Sequence, residues 1–215
     1  MNDKILIAVP CFDTVHADFM ESVTIMKKPE NSAFTVVKNT LIHAARDIIA
    51  QNAVIHDFDY VLYLDSDMRF PADMVSRLLA DIKEGYDLVS GLYFTRKSPC
   101  KPNAFSKLTW HENADGSIDT GCEWLWDYTE GINPIKACGF GCCMVTTELL
   151  NRVGETFKRC FQPLDGFGED MSFCIRADQL GAKMVLDARI KCDHVGTAVY
   201  NEAIYKAQGG KAAFE

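Results

Sequence analysis

The sequence predicts an α/β fold: one domain with a mixed, mostly parallel central sheet flanked by helices. Three observations carry this. Short apolar, β-branched runs alternate with stretches whose apolar residues recur at helical spacing. The 215 residues suffice for one large core and are too few for two comfortable ones. Several of the apolar runs are continuous rather than alternating, as strands buried on both faces require.

In chain order, Lys4 to Val9 is a β-branched run ended by Pro10, a strand running into a loop. His16 to Met26 has helical spacing, and Ser32 to Val37 reads as a strand. Thr40 to Val54 carries the stripe Leu41, Ala44, Ala45, Ile48, Ile49 and Ala53, a second helix. Tyr60 to Leu64 is a buried strand. The next helix is marked by Pro71 as its first residue, by Met74, Val75, Leu78, Leu79 and Ile82 as its inner face, and by Gly85 as its end. Leu88 to Phe94 is a strand. Thr95 to Pro134 reads as irregular, with Trp110, Trp124 and Trp126 scattered among polar residues. Lys136 to Thr146 returns to strand, Thr147 to Val153 is a short helix, Asp170 to Leu180 a helix stopped by Gly181, and Lys183 to Leu186 a strand. The domain is expected over residues 1–200, and residues 201–215, with Gly209-Gly210, as a flexible or loosely docked tail.

The formal net charge of −8 argues against a broad electrostatic grip on nucleic acid or anionic lipid. No apolar run reaches the roughly 20 residues of a membrane span, and the N-terminus lacks a signal-peptide layout. Nine cysteines, an odd number without a C-x-x-C pair, read as reduced and buried thiols. The expectation is a cytoplasmic chain with no integral membrane segment. Cys138, Cys142 and Cys143 fall in a small-residue strand without the usual zinc-ligand spacing.

Asp65-Ser66-Asp67 follows directly on the strand Val61 to Leu64, at the carboxyl end where open α/β sheets bind ligands. If the chain stays extended there, residues two apart point the same way, and both carboxylates face one cation. Oxygen ligands suit Mg²⁺ or Mn²⁺. Two aspartates that merely start a loop and cap the next helix fit the triplet as well. Gly168-Glu169-Asp170 opens a helix, where acidic residues are favourable by ~0.3–1 kcal/mol through the dipole alone. The functional reading makes Asp170 a general base for a hydroxyl. His194 follows the Lys183 to Leu186 strand after a short connection.

Taken in order, these pieces resemble the GT-A glycosyltransferases, family-2-like enzymes and their short phage and bacterial relatives. Ile7-Ala8-Val9-Pro10-Cys11 is similar to the first-strand V-P-x motif, Ala45-Arg46-Asp47 to the A-R-N segment, and Leu62 to Asp67 to the strand with its D-x-D. Gly139-Phe140-Gly141 is similar to the G-x-G beside the acceptor. Gly168-Glu169-Asp170, with Phe173, Arg176 and Gly181, resembles the "ED" helix, and His194 falls where a third metal ligand is often found. The resemblance covers roughly residues 4–200. It departs at the missing V-D-D-x-S strand end that grips the base, and at Asp47 in place of Asn.

The resemblance implies a metal-dependent transferase moving a sugar from a nucleoside-diphosphate sugar, a UDP-sugar favoured, to a hydroxyl of a glycan or other acceptor, with inversion. It implies Asp65, Asp67 and His194 as ligands of Mn²⁺ or Mg²⁺, and Pro10, Arg46, Asp65, Ser66 and Asp67 around the donor. Asp170 would be the base, assisted by Glu169. The alternatives are a nucleotidyltransferase, which would carry a Gly-rich basic loop after the first strand, and a non-catalytic sugar-nucleotide or glycan-binding relative.

Overall fold

A computed structural model describes residues 3–196 and 198–214; the remaining parts of the expected domain and tail, Met1, Asn2, Thr197 and Glu215, lie outside the described residues. The chain opens with β1 (Ile5–Cys11), α1 (Ala17–Ile25), β2 (Ser32–Lys38), α2 (Ile42–Ile55) and β3 (Tyr60–Leu64). A turn leads to β4 (Met68–Arg69), α3 (Met74–Ile82) and β5 (Leu88–Leu92). The middle holds β6 (Ala104–Glu112), β7 (Ile118–Trp124), β8 (Ile132–Pro134), β9 (Ala137–Cys138) and β10 (Cys142–Thr146). The chain continues with α4 (Thr147–Phe157), α5 (Glu169–Gln179), β11 (Met184–Lys191), β12 (Asp193–Val195), β13 (Val199–Tyr200) and α6 (Glu202–Ala207).

Seven strands form the central sheet in the order β2-β1-β3-β10-β5-β11-β8. Its inner strands are buried on both faces, the edge strand β2 is not, and the period of two sends alternate residues to opposite sides. Ile5, Ile7 and Val9 pack with Leu62, Leu64 and the α3 residues Met74, Val75, Leu78 and Ile82. Leu6 and Ala8 pack on the other face with Val61, Tyr63, Ile49 of α2, Leu149 of α4 and Phe173 of α5. The result is three layers, helix on sheet on helix. The apolar stripes of α2 and α3 are legible in the sequence because each covers one face of this sheet.

The sheet is mixed: β2, β1, β3, β5 and β11 run one way, and β10 and β8 run the other. β1 runs parallel to β2 and β3, and β5 to β11, whereas β10 is antiparallel to both its neighbours and β8 to β11. The chain enters β10 from a hairpin sheet on the far side rather than from a crossover helix, so it arrives pointing the other way. The run Lys136 to Thr146 is therefore two strands: β9 pairs with β6 in a small β7-β6-β9 sheet, and β10 sits in the central one. Gly139 and Gly141 lie in the break, where the Tyr93 ring presses on the backbone. A Cβ at Gly139 would overlap the Tyr93 hydroxyl, and one at Gly141 would lie 2.9 Å from Tyr93 Cζ.

Two further differences have local causes. Pro71 does not begin α3; Pro71 to Asp73 form a turn closed by Met74 N–H donating to Pro71 O, and the helix starts at Met74. The 95–134 region contains a hairpin, β6 with β7, whose tip Asn113 to Ser117 turns at Gly116 with φ +82°. β7 carries Cys122, which is exposed, while the other eight thiols are buried and unpaired. Beyond residue 200, α6 brings buried Tyr205 to stack on Phe94, with ring centroids 4.9 Å apart. The Gln208 side chain accepts from the Cys100 N–H. No helix among the described residues is long and apolar enough to cross a membrane.

Candidate active site

The carboxyl ends of β1 and β3 and the starts of α2 and α5 surround a cavity of about 530 Å³. Pro10, Arg46, Asp65, Ser66, Asp67, Glu169, Asp170 and His194 all line it, together with Tyr93, Arg96, Asn103, Phe105, Trp124 and Met171. Residues far apart in sequence thus meet at the end of the sheet where the fold exposes backbone and side chains to ligands.

The Asp65-Ser66-Asp67 segment is not extended. It turns, with Met68 N–H donating to Asp65 O, and Ser66 O accepts from His16 N–H at the start of α1. The two carboxylates take different partners, Arg46 for Asp65 and Arg96 for Asp67. Asp65 Oδ1 accepts from Arg46 Nη2 at 2.9 Å, and Arg46 Nη1 donates to Glu169 Oε1. Arg46 is only 3% exposed and lies 5.4 Å over the Phe140 ring. Burial alone would weaken its charge; Asp65 and Glu169 outweigh that and hold the guanidinium above its ordinary pKa.

Asp170 begins α5 beside Glu169, and its Oδ1 accepts from the Met171 N–H at 2.7 Å. Burial, with the neighbouring Glu169 and Asp65 charges, raises its pKa above the ordinary aspartate value against the pull of Arg46 and of the Met171 hydrogen bond. One guanidinium among three carboxylates leaves a surplus of negative charge, which favours the protonated form of Asp170. Asp47 turns away from the cleft. Its Oδ1 accepts from the backbone N–H groups of Cys160 and Phe161, at 2.9 and 3.0 Å, and fixes the chain between α4 and α5.

On the opposite wall, a second small sheet in the order β13-β12-β4 sets His194 against Met68. Val195 N–H donates to Asp67 O. His194 Nδ1 lies 3.0 Å from the Phe94 carbonyl, which can only accept, so Nδ1 carries a proton and Nε2 points at Asp67 Oδ1, 3.5 Å away. Asp67 Oδ1 is buried and has no hydrogen-bond partner among the described residues. Its other oxygen meets Arg96 Nη1 at 2.6 Å. Burial raises the Asp67 carboxyl, but His194 and Arg96 outweigh it and hold the group below the ordinary value. At 3.5 Å and outside hydrogen-bond geometry the His194 contact is the weaker, so the Arg96 charge carries most of this.

Among the described residues no three His, Cys, Asp or Glu side chains converge as a metal cage. Asp67 and His194 nonetheless fit a shared divalent cation. His194 Nε2 and Asp67 Oδ1 face each other, and the histidine is oriented by a backbone carbonyl, as metal-binding histidines are. Mg²⁺ and Mn²⁺ take few protein ligands and complete their shells with phosphate and water.

These features define a class: a single α/β domain with a mixed central sheet and an acidic cleft at its strand ends. Among solved structures with this fold, A197 from STIV matches with a TM-score of 0.68 and 16% identity, over 90% of this chain and 86% of that one. The likeness is one of fold. No protein-family model matches the chain, and no curated protein matches it.

Sequence reasoning missed Arg96, Asn103, Phe105 and Met171 in the cleft. Arg96 sits in the basic, turn-rich run Thr95-Arg96-Lys97-Ser98-Pro99, which reads as an exposed loop. The available signal was its place just after a buried strand, at the same end of the sheet as the acidic triplet.

Proposed function

We propose that this chain is a metal-dependent glycosyltransferase of the GT-A type, moving a sugar from a nucleoside-diphosphate sugar, a UDP-sugar favoured, to an acceptor hydroxyl with inversion. The observation that carries the reading is the pairing, in one cleft, of a carboxylate–histidine couple holding an unpartnered oxygen with a carboxylate whose proton affinity burial raises. Asp67 and His194 supply the first and Asp170 the second.

Asp67 and His194 would hold Mn²⁺ or Mg²⁺. Such an ion neutralises the charge that collects on a departing nucleoside diphosphate. Asp170 takes the proton of the acceptor hydroxyl as its oxygen attacks the anomeric carbon from the face opposite the leaving group. A carboxylate with a raised proton affinity is a stronger base for that task, and burial supplies the rise. Arg46 holds Glu169 and Asp65 in place, so Asp170 faces the acceptor from a fixed frame. Trp124 and Phe105, packed 4.3 Å apart between centroids, form an aromatic wall suited to a sugar face.

A melting-temperature panel with UDP, GDP, CDP and dTDP, each with and without Mn²⁺, tests this reading. Ligands that bind only the folded state raise the melting temperature by mass action. A metal-dependent rise with one nucleotide, lost in Asp67→Ala, supports the donor site. No metal-dependent rise with any of the four rejects it.

A further inference from the structure

The cleft poses an electrostatic problem. Asp65, Asp67, Glu169 and Asp170 line it, and the arginines and lysines among its described lining residues are Arg46 and Arg96. Arg46 is buried between Asp65 and Glu169. A diphosphate entering this space therefore meets mostly like charge, unless another cation turns toward it.

Arg96 has the properties such a cation needs. It follows β5 in a loop pinned at its base, where Thr95 N–H donates to Lys101 O and Lys101 N–H to Thr95 Oγ1. Its aliphatic stem lies over Gly196, where a Cβ would come within 3.2 Å of Arg96 Cδ; glycine is what lets the stem pass. Its head meets Asp67 Oδ2, yet the side chain remains 49% exposed, unlike that of Arg46. It is thus anchored through its stem and held at its head by one surface-accessible ion pair, a contact of the weak kind.

We infer that Arg96 is a diphosphate-binding residue that exchanges partners. In the empty cleft its guanidinium neutralises Asp67; when a divalent cation takes Asp67, Arg96 turns its forked donors to the phosphate oxygens. The inference rests on the transferase reading for the identity of the phosphate's owner, though not for the contact itself. Guanidinium is the better head for the task because its planar donors match phosphate in pairs, where an ammonium acts as a point charge.

The test uses Mn²⁺ alone and Mn²⁺-pyrophosphate, a probe without base or sugar, on the wild-type chain, Arg96→Met and Arg96→Lys. Free Mn²⁺ is followed by its electron paramagnetic resonance signal and pyrophosphate by calorimetry. Arg96→Met is expected to weaken Mn²⁺-pyrophosphate by about tenfold or more, the scale of a lost charge-assisted contact, with Arg96→Lys between the two. Mn²⁺ alone binds Arg96→Met at least as tightly as wild type, because Asp67 Oδ2 is released. A Mn²⁺-pyrophosphate affinity in Arg96→Met within about twofold of wild type overturns the inference, as does weaker binding of Mn²⁺ alone. Wild-type chain that binds Mn²⁺-pyrophosphate through Arg96 yet takes none of the four nucleoside diphosphates rejects the transferase reading and keeps this one. A nucleoside diphosphate bound equally by wild type and Arg96→Met does the reverse.

Discussion

The two walls of the cleft are made of the same side chains, carboxylates and one arginine each, and hold them in opposite ways. On the α2/α5 wall, Arg46 is buried, its two forks are taken by Asp65 and Glu169, and an aromatic ring lies beneath it. On the β4/β12 wall, Arg96 is half-exposed, holds a single oxygen of Asp67, and leaves the other oxygen facing a histidine without a hydrogen bond. A buried guanidinium held by two carboxylates fixes geometry and resists exchange, because removing one member strands the others. An open pair with an unmet acceptor exchanges partners at little cost. The first wall suits a group that must keep its place through a reaction, and the second suits ligands that come and go.

The largest expected effect breaks the first wall. Arg46→Met removes a buried guanidinium and leaves the half-buried Asp65 and Glu169 without a counter-charge, and should cost about 3 kcal/mol in urea unfolding. Adding Glu169→Gln should recover part of that loss; a single mutant as stable as wild type would mean the network is not holding the wall. Next, Asp170→Asn should lower transfer to a hydroxyl acceptor by about 10²- to 10⁴-fold while the fold persists. The sign of its stability effect follows from the raised pKa. A carboxyl that binds its proton more tightly when folded stabilises the fold below its ordinary value, and that contribution is lost as pH rises through the folded value. The neutral Asn should therefore melt higher than wild type at pH 8 and no higher at pH 3. The acid limb of kcat/KM should lie above the ordinary aspartate range.

On the second wall the stability cost should be smaller. His194→Ala removes one hydrogen bond to a carbonyl and should cost about 1 kcal/mol, while abolishing the metal-dependent part of the nucleotide melting shift. Equal loss of stability in His194→Ala and Arg46→Met would erase the contrast between the walls. The smallest effect serves as a pH reference outside the cleft. Asp81 and Asp187 share Arg189, and burial together with Asp187 pushes the Asp81 carboxyl up to about 6. Its contribution is present below the ordinary aspartate value and lost as pH rises through about 6. Asp81→Asn should melt slightly higher than wild type above that pH and the same at pH 3. A wild-type transition near pH 6 that is lost in Asp81→Asn and kept in Asp170→Asn belongs to this pair and not to the cleft.

Much of this arrangement was legible in the residues. The buried strands and the stripes of α2 and α3 announce themselves, since a helix or strand that covers one face of a sheet must repeat its apolar residues at its own period. The hairpin β6–β7 was less visible because one face is open and its alternation is polar against half-buried. The run Ser106 to His111 does alternate, and Asp115-Gly116 at the tip is a hairpin signal. The cleft residues were found from strand ends and a helix start. What pairing they would make was not, because the turn at Ser66 depends on backbone contacts to His16, and the partner of Asp67 comes from a loop that no spacing connects to it. The antiparallel course of β10 was hidden for the same reason: a strand's composition does not state its direction.

Cys122 gives the hairpin a practical property. It is the exposed thiol of a chain whose eight other cysteines are buried, and it sits two residues before Trp124, which lines the cleft. A maleimide dye would therefore attach to the native sequence at one place, on the strand that forms the aromatic wall, with a tryptophan quencher beside it. The molecule carries its own optical reporter for whatever enters the cleft, without any residue having to be changed.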